Sequence, residues 1–306
     1  MLIGNSPQIK KIKKYCNQLA KTEDSFLIIG ESGTGKKAIV KEIHNKSRHK
    51  NHQLVFLNCS TLGNTINDSD LYSKTDIKDE NTGIFQQVYK GTLCLENLGE
   101  IPSTYQKLFF NVLKEKEYVN PYSKKKHNIT FRICAITTNY TIKSENSIRK
   151  DLLSLLDNHT IIVPPLKERK QDIPSLFNYF LEQTCEKNNK EIPDIPENLY
   201  ESIIDYNWPG NVTELKKSVE NIVLMSKNDE LDTSYLPFEV KKHPLEYMID
   251  YNLPEAVDEV EKYLITKTMK RYAGNQTSAA KALNISEGTL RYKMKKYGLN
   301  RKSFKD

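Results

Sequence analysis

The chain has 306 residues, of which 38% are hydrophobic and 28% charged. This is the composition of a globular protein long enough for two or three domains, each with its own core. It excludes a low-complexity chain, and no apolar run approaches the roughly 20 residues a membrane helix needs. The formal net charge is +7, and residues 255–306 hold twelve Lys or Arg against six Asp or Glu, so nearly all the basic excess sits in the last sixth of the chain.

Met1 leads into Leu2-Ile3-Gly4-Asn5 with no basic-then-apolar leader, so a cytoplasmic protein with no membrane partner is expected. Helical spacing begins at once, with Ile9, Ile12, Tyr15 and Leu19 between Pro7 and Thr22. Ser25 to Ile29 is a short apolar run suited to a buried parallel strand. Gly30-Glu31-Ser32-Gly33-Thr34-Gly35-Lys36-Lys37 follows it and opens a helix running to Ser47. That is a G-x-x-x-x-G-K loop between strand and helix. Small residues let successive backbone N–H groups turn toward phosphate oxygens, and the helix aims its positive end at the same point. Lys36 adds a charge near the β and γ phosphates. The Ser or Thr that normally follows this lysine, and whose hydroxyl helps hold Mg2+, is Lys37.

Leu54 to Asn58 reads as a second strand, Thr92 to Leu95 as a third, Phe131 to Ile136 as a fourth and Thr160 to Val163 as a fifth. Helical segments such as Ser103 to Lys116 separate them, so the expected fold is a doubly wound α/β domain on a parallel sheet. Past Pro164-Pro165 the pattern turns helical, at Ile173 to Lys187, Pro196 to Tyr206 and Val212 to Met225. These helices predict a small subdomain, and the polar segment after Ser226 predicts a linker.

The final fifty residues have their own logic. Glu255 to Arg271 is amphipathic and is stopped by Gly274-Asn275. Gln276 to Leu283 carries the small pair Ala279-Ala280, and Ser286 caps a basic third helix, Glu287 to Tyr297. This is a helix-turn-helix whose last helix is basic enough to enter the major groove of double-stranded DNA. The candidate DNA contacts are Gln276, Thr277, Ser286, Glu287, Thr289, Arg291, Tyr292, Lys293, Lys295 and Lys296. The five cysteines and six histidines have neither metal-ligand nor redox spacing and are expected to be structural.

Five blocks together resemble the bacterial enhancer-binding proteins, AAA+ ATPases that act on sigma-54 RNA polymerase and end in a Fis-type helix-turn-helix. The blocks are Leu2 to Pro7, Gly30 to Lys37, Gly91 to Pro102, Pro164 to Arg169 and Trp208 to Val212. The resemblance implies an AAA+ core over residues 1–164, a helical lid over 165–228, a linker over 229–253 and the DNA-binding module over 254–306. It implies ATP or ADP as ligand, with Mg2+ beside it. It also implies RNA polymerase as a partner, a hexameric ATPase ring and pairing of the DNA-binding modules as a dimer. The match begins at the first residues, so no receiver domain ahead of the ATPase is expected.

The engine departs from the family. The Asp-Glu that ends the third strand, one to hold the metal and one to activate water, is Glu96-Asn97. Glu96 keeps the charge for Mg2+, but Asn97 cannot act as a base, and losing such a group costs about 10²–10⁴ in rate. Of two arginines that reach the neighbouring subunit's nucleotide, Arg149 persists and the other is Leu155. The sensor arginine of the lid is Thr213, and the sensor asparagine falls at Thr138 or Asn139. The loop that contacts sigma-54 lacks Gly-Ala-Phe-Thr-Gly-Ala; its counterpart, Ser73 to Thr82, is charged. Three readings follow: a DNA-binding regulator with a weak or silent ATPase that does not engage sigma-54, an active sigma-54 activator, and a scaffold subunit lending Arg149 to an intact paralogue.

Overall fold

The computed structural model describes residues 2–72, 83–138, 148–195, 197–225, 231, 236 and 252–304. Contacts divide the chain into two units, Met1–Pro196 with Tyr206–Leu231, and Glu197–Asp205 with Asp232–Asp306.

The first unit is built on five parallel strands, β1 (Phe26–Ile29), β2 (Leu54–Asn58), β3 (Thr92–Glu96), β6 (Arg132–Thr137) and β7 (Thr160–Ile162), in the order β2-β3-β6-β1-β7. The expected strands all form, within a residue at each end. Alternation along each strand explains why both faces are covered. Leu27, Leu57, Leu93, Leu95, Ile133 and Ala135 point to one core, together with Phe109 and Val112 of α5 (Ser103–Glu115) and Leu152 and Leu156 of α6 (Lys150–Leu156). Phe26, Ile28, Cys94, Cys134, Ile136 and Ile161 point to the other, with Ile9, Ile12 and Cys16 of α1 (Pro7–Leu19) and Ile39, Val40 and Ile43 of α2 (Lys36–Lys46). Two short helices, α3 (Asp68–Leu71) and α4 (Ile84–Gln87), lie before β3. An antiparallel pair, β4 (Glu117–Val119) and β5 (Lys126–Asn128), follows α5. The sequence pattern gave no sign of this hairpin or of α6.

All five cysteines are buried and none is in a disulfide, as expected of small core residues. Burial pushes the Cys16 thiol up to about 11 and the Cys59 thiol up to about 12, so neither is a thiolate at neutral pH.

The lid helices α7 (Ile173–Lys187) and α9 (Asn211–Met225) pack on each other, and α8 (Glu197–Asp205) lies between them in sequence. The N-terminal segment is fastened to the start of α7. The fully buried Asp172 carboxylate accepts from the backbone N–H of Asn5 (2.6 Å) and Ser6 (2.7 Å) and from the Ser6 hydroxyl (2.7 Å). Ser6 also caps α1, accepting from Ile9 N at 3.3 Å.

Among the described residues from 252 onward, the second unit forms the helices α10 (Leu253–Arg271), α11 (Gln276–Ala282) and α12 (Glu287–Lys296). They close on Ile265, Met269, Ala279, Ala280, Leu290, Met294 and Phe304. Gly274, at φ +75°, ends α10 by donating its N–H to Met269 O at 2.9 Å. Asn275 caps α11 and Ser286 caps α12, each accepting from the backbone N–H three residues on.

Candidate functional sites

The phosphate loop lies between β1 and α2. Gly30 N donates to Thr137 O at 3.2 Å, which sets the loop against the end of β6. Gly33 (φ +76°) and Gly35 (φ +95°) take left-handed backbone. At Gly33 glycine is required twice, because a Cβ would lie 2.2 Å from Gly210 O. The Lys36 ammonium donates to Gly30 O (2.7 Å) and Glu31 O (2.8 Å), holding it in the curl of the loop. Burial lowers its pKa and Glu31 opposes that shift.

Two side chains to which the sequence motifs gave no role, and one backbone N–H, hold this loop in place. Asn211 is buried at the start of α9 with φ +55°. Its Oδ1 accepts from Leu166 N at 2.7 Å, and its Nδ2 donates to Glu31 Oε2 (3.1 Å) and Ser32 O (3.0 Å). Arg169, also buried, donates from Nη2 to Thr34 O at 2.7 Å and lies 4.0 Å from Asp172. Thr213 N donates to Gly33 O at 3.3 Å, so the position of the lid's sensor residue does face the loop. Asn211 and Arg169 lie in the two blocks shared with the family, Trp208 to Val212 and Pro164 to Arg169. Their presence in shared blocks was the available signal, but their partners in the loop are far away in sequence.

Glu96 and Asn97 stand at the end of β3, with Glu96 in register with Asn58. Asn97 takes left-handed backbone (φ +52°) and donates its side-chain amide to Asn58 Oδ1 at 3.1 Å. Glu96 does not stand free. The Lys37 ammonium lies 2.5 Å from its Oε1 and 5.3 Å from the centroid of the Phe56 ring. Oε1 is fully covered and has no aligned hydrogen-bond partner, so the contact is an ion pair held by charge. Mg2+ demands an octahedron of oxygens. Here the expected hydroxyl is an ammonium, and that ammonium occupies the remaining carboxylate. As it stands, the donor set does not fit Mg2+.

Arg149 caps α6 on the surface. Its guanidinium pairs with Asp151 (Nε–Oδ1 3.0 Å, Nη2–Oδ2 2.5 Å) and stacks over Phe110 at 5.4 Å. Its backbone N–H donates to Gln106 Oε1 at 2.8 Å. Leu155, at the second arginine position, lies on α6 and is half-buried against the core. Thr138 follows β6, whereas Asn139 and the loop Ser73 to Thr82 lie outside the described residues.

In the helix-turn-helix the ten candidate contacts separate by direction. Arg291, Tyr292 and Lys295 are exposed and share one face of α12 with Gly288, at i, i+3, i+4 and i+7. Tyr292 is 69% exposed. Thr289 is also exposed, its hydroxyl 2.8 Å from Ser286 Oγ. Arg291 pairs with Glu287 at 3.0 Å across one helical turn. The others serve the module itself. Lys293 reaches Glu261 and Lys296 reaches Asp258, each at 2.5 Å, and Tyr297 donates to the same two carboxylates. Gln276 contacts the Met294 sulfur at 3.6 Å, and a hydrogen bond from Thr277 is the largest influence holding the Glu287 carboxyl low. Lys293 and Lys296 are thus turned toward α10 rather than outward with Arg291 and Lys295.

A glycine-rich loop between strand and helix, closed by a lid, and a separate helix-turn-helix together define a P-loop regulator of the AAA+ type. Family models agree along the chain: a sigma-54 interaction domain matches residues 2–162, an AAA+ ATPase lid domain residues 167–247, and the Fis family of bacterial regulatory proteins residues 256–297. The regulatory protein AtoC of Escherichia coli (strain K12) is 31% identical over 98% of this chain and 68% of its own length. A signal-transduction and transcriptional-control protein of Clostridium beijerinckii is 33% identical over 97% of this chain and 48% of its own length. The crystal structure of NtrX from Brucella abortus in complex with ADP superposes with a TM-score of 0.70 at 24% identity, over 98% of this chain and 69% of NtrX. The chain belongs to the sigma-54-interaction-domain family of transcription regulators with a Fis-type DNA-binding module.

Proposed function

We propose that this chain is a sequence-specific DNA-binding transcription regulator whose AAA+ unit binds ATP or ADP, hydrolyses it weakly or not at all, and does not remodel sigma-54 polymerase. The observation that carries this reading is Asn97. It stands where the family's water-activating carboxylate stands, and its amide is committed to Asn58. An amide neither takes a proton from water nor recovers that ability by moving. Leu155, Thr213 and the charged sequence Ser73 to Thr82 support the same reading, since they leave the arginine, sensor and output positions without the family's groups.

Nucleotide binding is supported by the curled loop with Lys36 at its centre and by the ADP held by NtrX. DNA binding is supported by the open face of α12. Dimerisation of the module is supported by α10, where Leu253 (77% exposed), Val257 (46%) and Leu264 (47%) form an uncovered apolar stripe with Val260. No described helix is long and apolar enough to cross a membrane. A DNA-bound protein of the cytoplasm, meeting RNA polymerase at the promoter, is the setting this function requires.

A second reading, an ATP-hydrolysing sigma-54 activator, is favoured by the family match over residues 2–162. Single-turnover hydrolysis of ATP by the purified chain separates the two. The proposal expects a rate little above background in the native chain and no further loss in Lys36→Ala. A rate typical of AAA+ enzymes that Lys36→Ala abolishes would overturn it.

A further inference from the structure

We propose that this site takes its nucleoside triphosphate or diphosphate without a divalent cation, with the Lys37 ammonium, steered by Glu96, in the place of the metal. The inference rests on the nucleotide-binding reading above and goes beyond it.

Three observations carry it. Lys37 is the second residue of α2, directly after Lys36, on the helical turn whose free N–H groups face the phosphate loop. Its ammonium is already at the carboxylate that ends β3, 2.5 Å from Glu96 Oε1, with the Phe56 ring 5.3 Å away on β2. The two partners differ in freedom: the Lys37 side chain is 60% exposed and the Glu96 side chain 13%. Glu96 is therefore the fixed member and Lys37 the long flexible one. Its tip can be shared between the carboxylate and a phosphate oxygen, as a cation bridging the two would be.

The charge around the phosphates fits the same arrangement. Leu155 and Thr213 remove two of the cationic positions expected around the terminal phosphate. Compensation then falls on Lys36, Lys37 and the α2 N-terminus. A triphosphate without metal keeps its full negative charge, and the two adjacent ammonium groups and the α2 N-terminus offset part of it. Mg2+ would have to displace one of those groups from Glu96 before it could bind there.

Glu96 has opposite roles in the two cases, and this gives the test. A carboxylate that held Mg2+ would be needed for affinity. A carboxylate that only steers Lys37 competes with phosphate for the ammonium. ATP binding by the full chain is measured by titration calorimetry in excess EDTA and in excess MgCl2, and Mn2+ uptake is followed by electron paramagnetic resonance. The native chain should bind equally in the two buffers, within about threefold. Glu96→Gln should bind as tightly as the native chain or tighter in both. Lys37→Thr should lose about tenfold in EDTA and recover when MgCl2 is added, with Mn2+ now held alongside ATP. Trp208 fluorescence confirms that each variant is folded.

A native chain that gains about tenfold or more from MgCl2 overturns the proposal, as does a Glu96→Gln chain that loses affinity only in MgCl2. Absence of ATP binding in both buffers instead overturns the nucleotide reading beneath it. The three results are distinct.

Discussion

Replacing Asn211 tests the tie between lid and phosphate loop. The Asn211 side chain is 1% exposed and takes part in three close hydrogen bonds. The bond to Leu166 N is the one that matters most, because Leu166 is fully buried and its N–H has no route to water. Leaving that donor unsatisfied costs about 1–3 kcal/mol. The bonds to Glu31 and Ser32 end on exposed residues that water can serve, so together they add roughly 1 kcal/mol. The backbone adds a separate amount. Asn211 sits at φ +55°, where alanine costs about 1 kcal/mol more than asparagine and glycine costs less. Asn211→Ala should therefore lose about 3–5 kcal/mol and Asn211→Gly about 1 kcal/mol less than that. Trp208, the single tryptophan of the chain, is 1% exposed and three residues away, so urea unfolding followed by its fluorescence reads this region directly. The Asn211→Ala midpoint should fall by roughly 1–2 M urea. If glycine proves as damaging as alanine, the backbone part of the reasoning fails. If both variants unfold with the native chain, the side-chain bonds do not hold the loop.

Other consequences concern the DNA-binding unit. Arg291→Ala or Tyr292→Ala should weaken operator binding about tenfold without lowering the module's melting temperature, while Lys293→Ala should do the reverse; fluorescence anisotropy and thermal melting read the two effects, and an inverted order would contradict the orientation of α12. The Asp258 carboxyl is held below its ordinary range chiefly by Lys296 and Tyr297, and that of Glu261 chiefly by Lys293 and Tyr297. Because both folded-state values lie below the unfolded ones, their contribution is present above about pH 4.5 and is lost as pH falls through the folded values. The isothermal stability of the helix-turn-helix should drop over that acidic window, and Asp258→Asn with Glu261→Gln should flatten the drop. Leu264→Glu, on the exposed stripe of α10, should turn a sedimenting dimer of the full chain into monomer with the circular dichroism unchanged; an unchanged sedimentation coefficient would place the dimer contact elsewhere.

What could be read from the sequence is what local physics determines. β1 was visible because Phe26 to Ile29 is apolar throughout, and the phosphate loop because Gly30 to Lys36 compresses its chemistry into seven residues. The cap Ser286 acts on an N–H three residues away and fell where the sequence placed it, whereas Asn275, read only as part of a helix stop, also caps α11. What escaped depends on distant partners. Asn211 reaches Glu31 across 180 positions, and Asp172 reaches Ser6 across 166. The β4–β5 hairpin escaped for another reason: Glu117-Tyr118-Val119 and Lys126-His127-Asn128 are too short and too polar to carry a strand pattern. The basic character of Lys293 and Lys296 was legible, but the acids they pair with lie on α10, more than thirty residues earlier.

The pattern of what is kept and what is lost in the first unit bears on how it works. The bonds that join lid to loop are in place, the one from Arg169 fully buried: Asn211 to Ser32, Arg169 to Thr34, Thr213 N to Gly33. These bonds shape a cradle for phosphate and couple it to the lid helices, and they serve binding whether or not a bond is later broken. The groups that have changed, Asn97, Leu155 and the side chain of Thr213, stand at positions that the family resemblance places around the terminal phosphate. Random decay would strike both sets, and the buried set harder in its consequences for stability. A chain that keeps the first and gives up the second retains a reason for its lid to respond to a nucleotide. If the chain binds nucleotide without cleaving it, as proposed, occupancy of the loop rather than turnover is the signal that the first unit has to offer the DNA-binding unit.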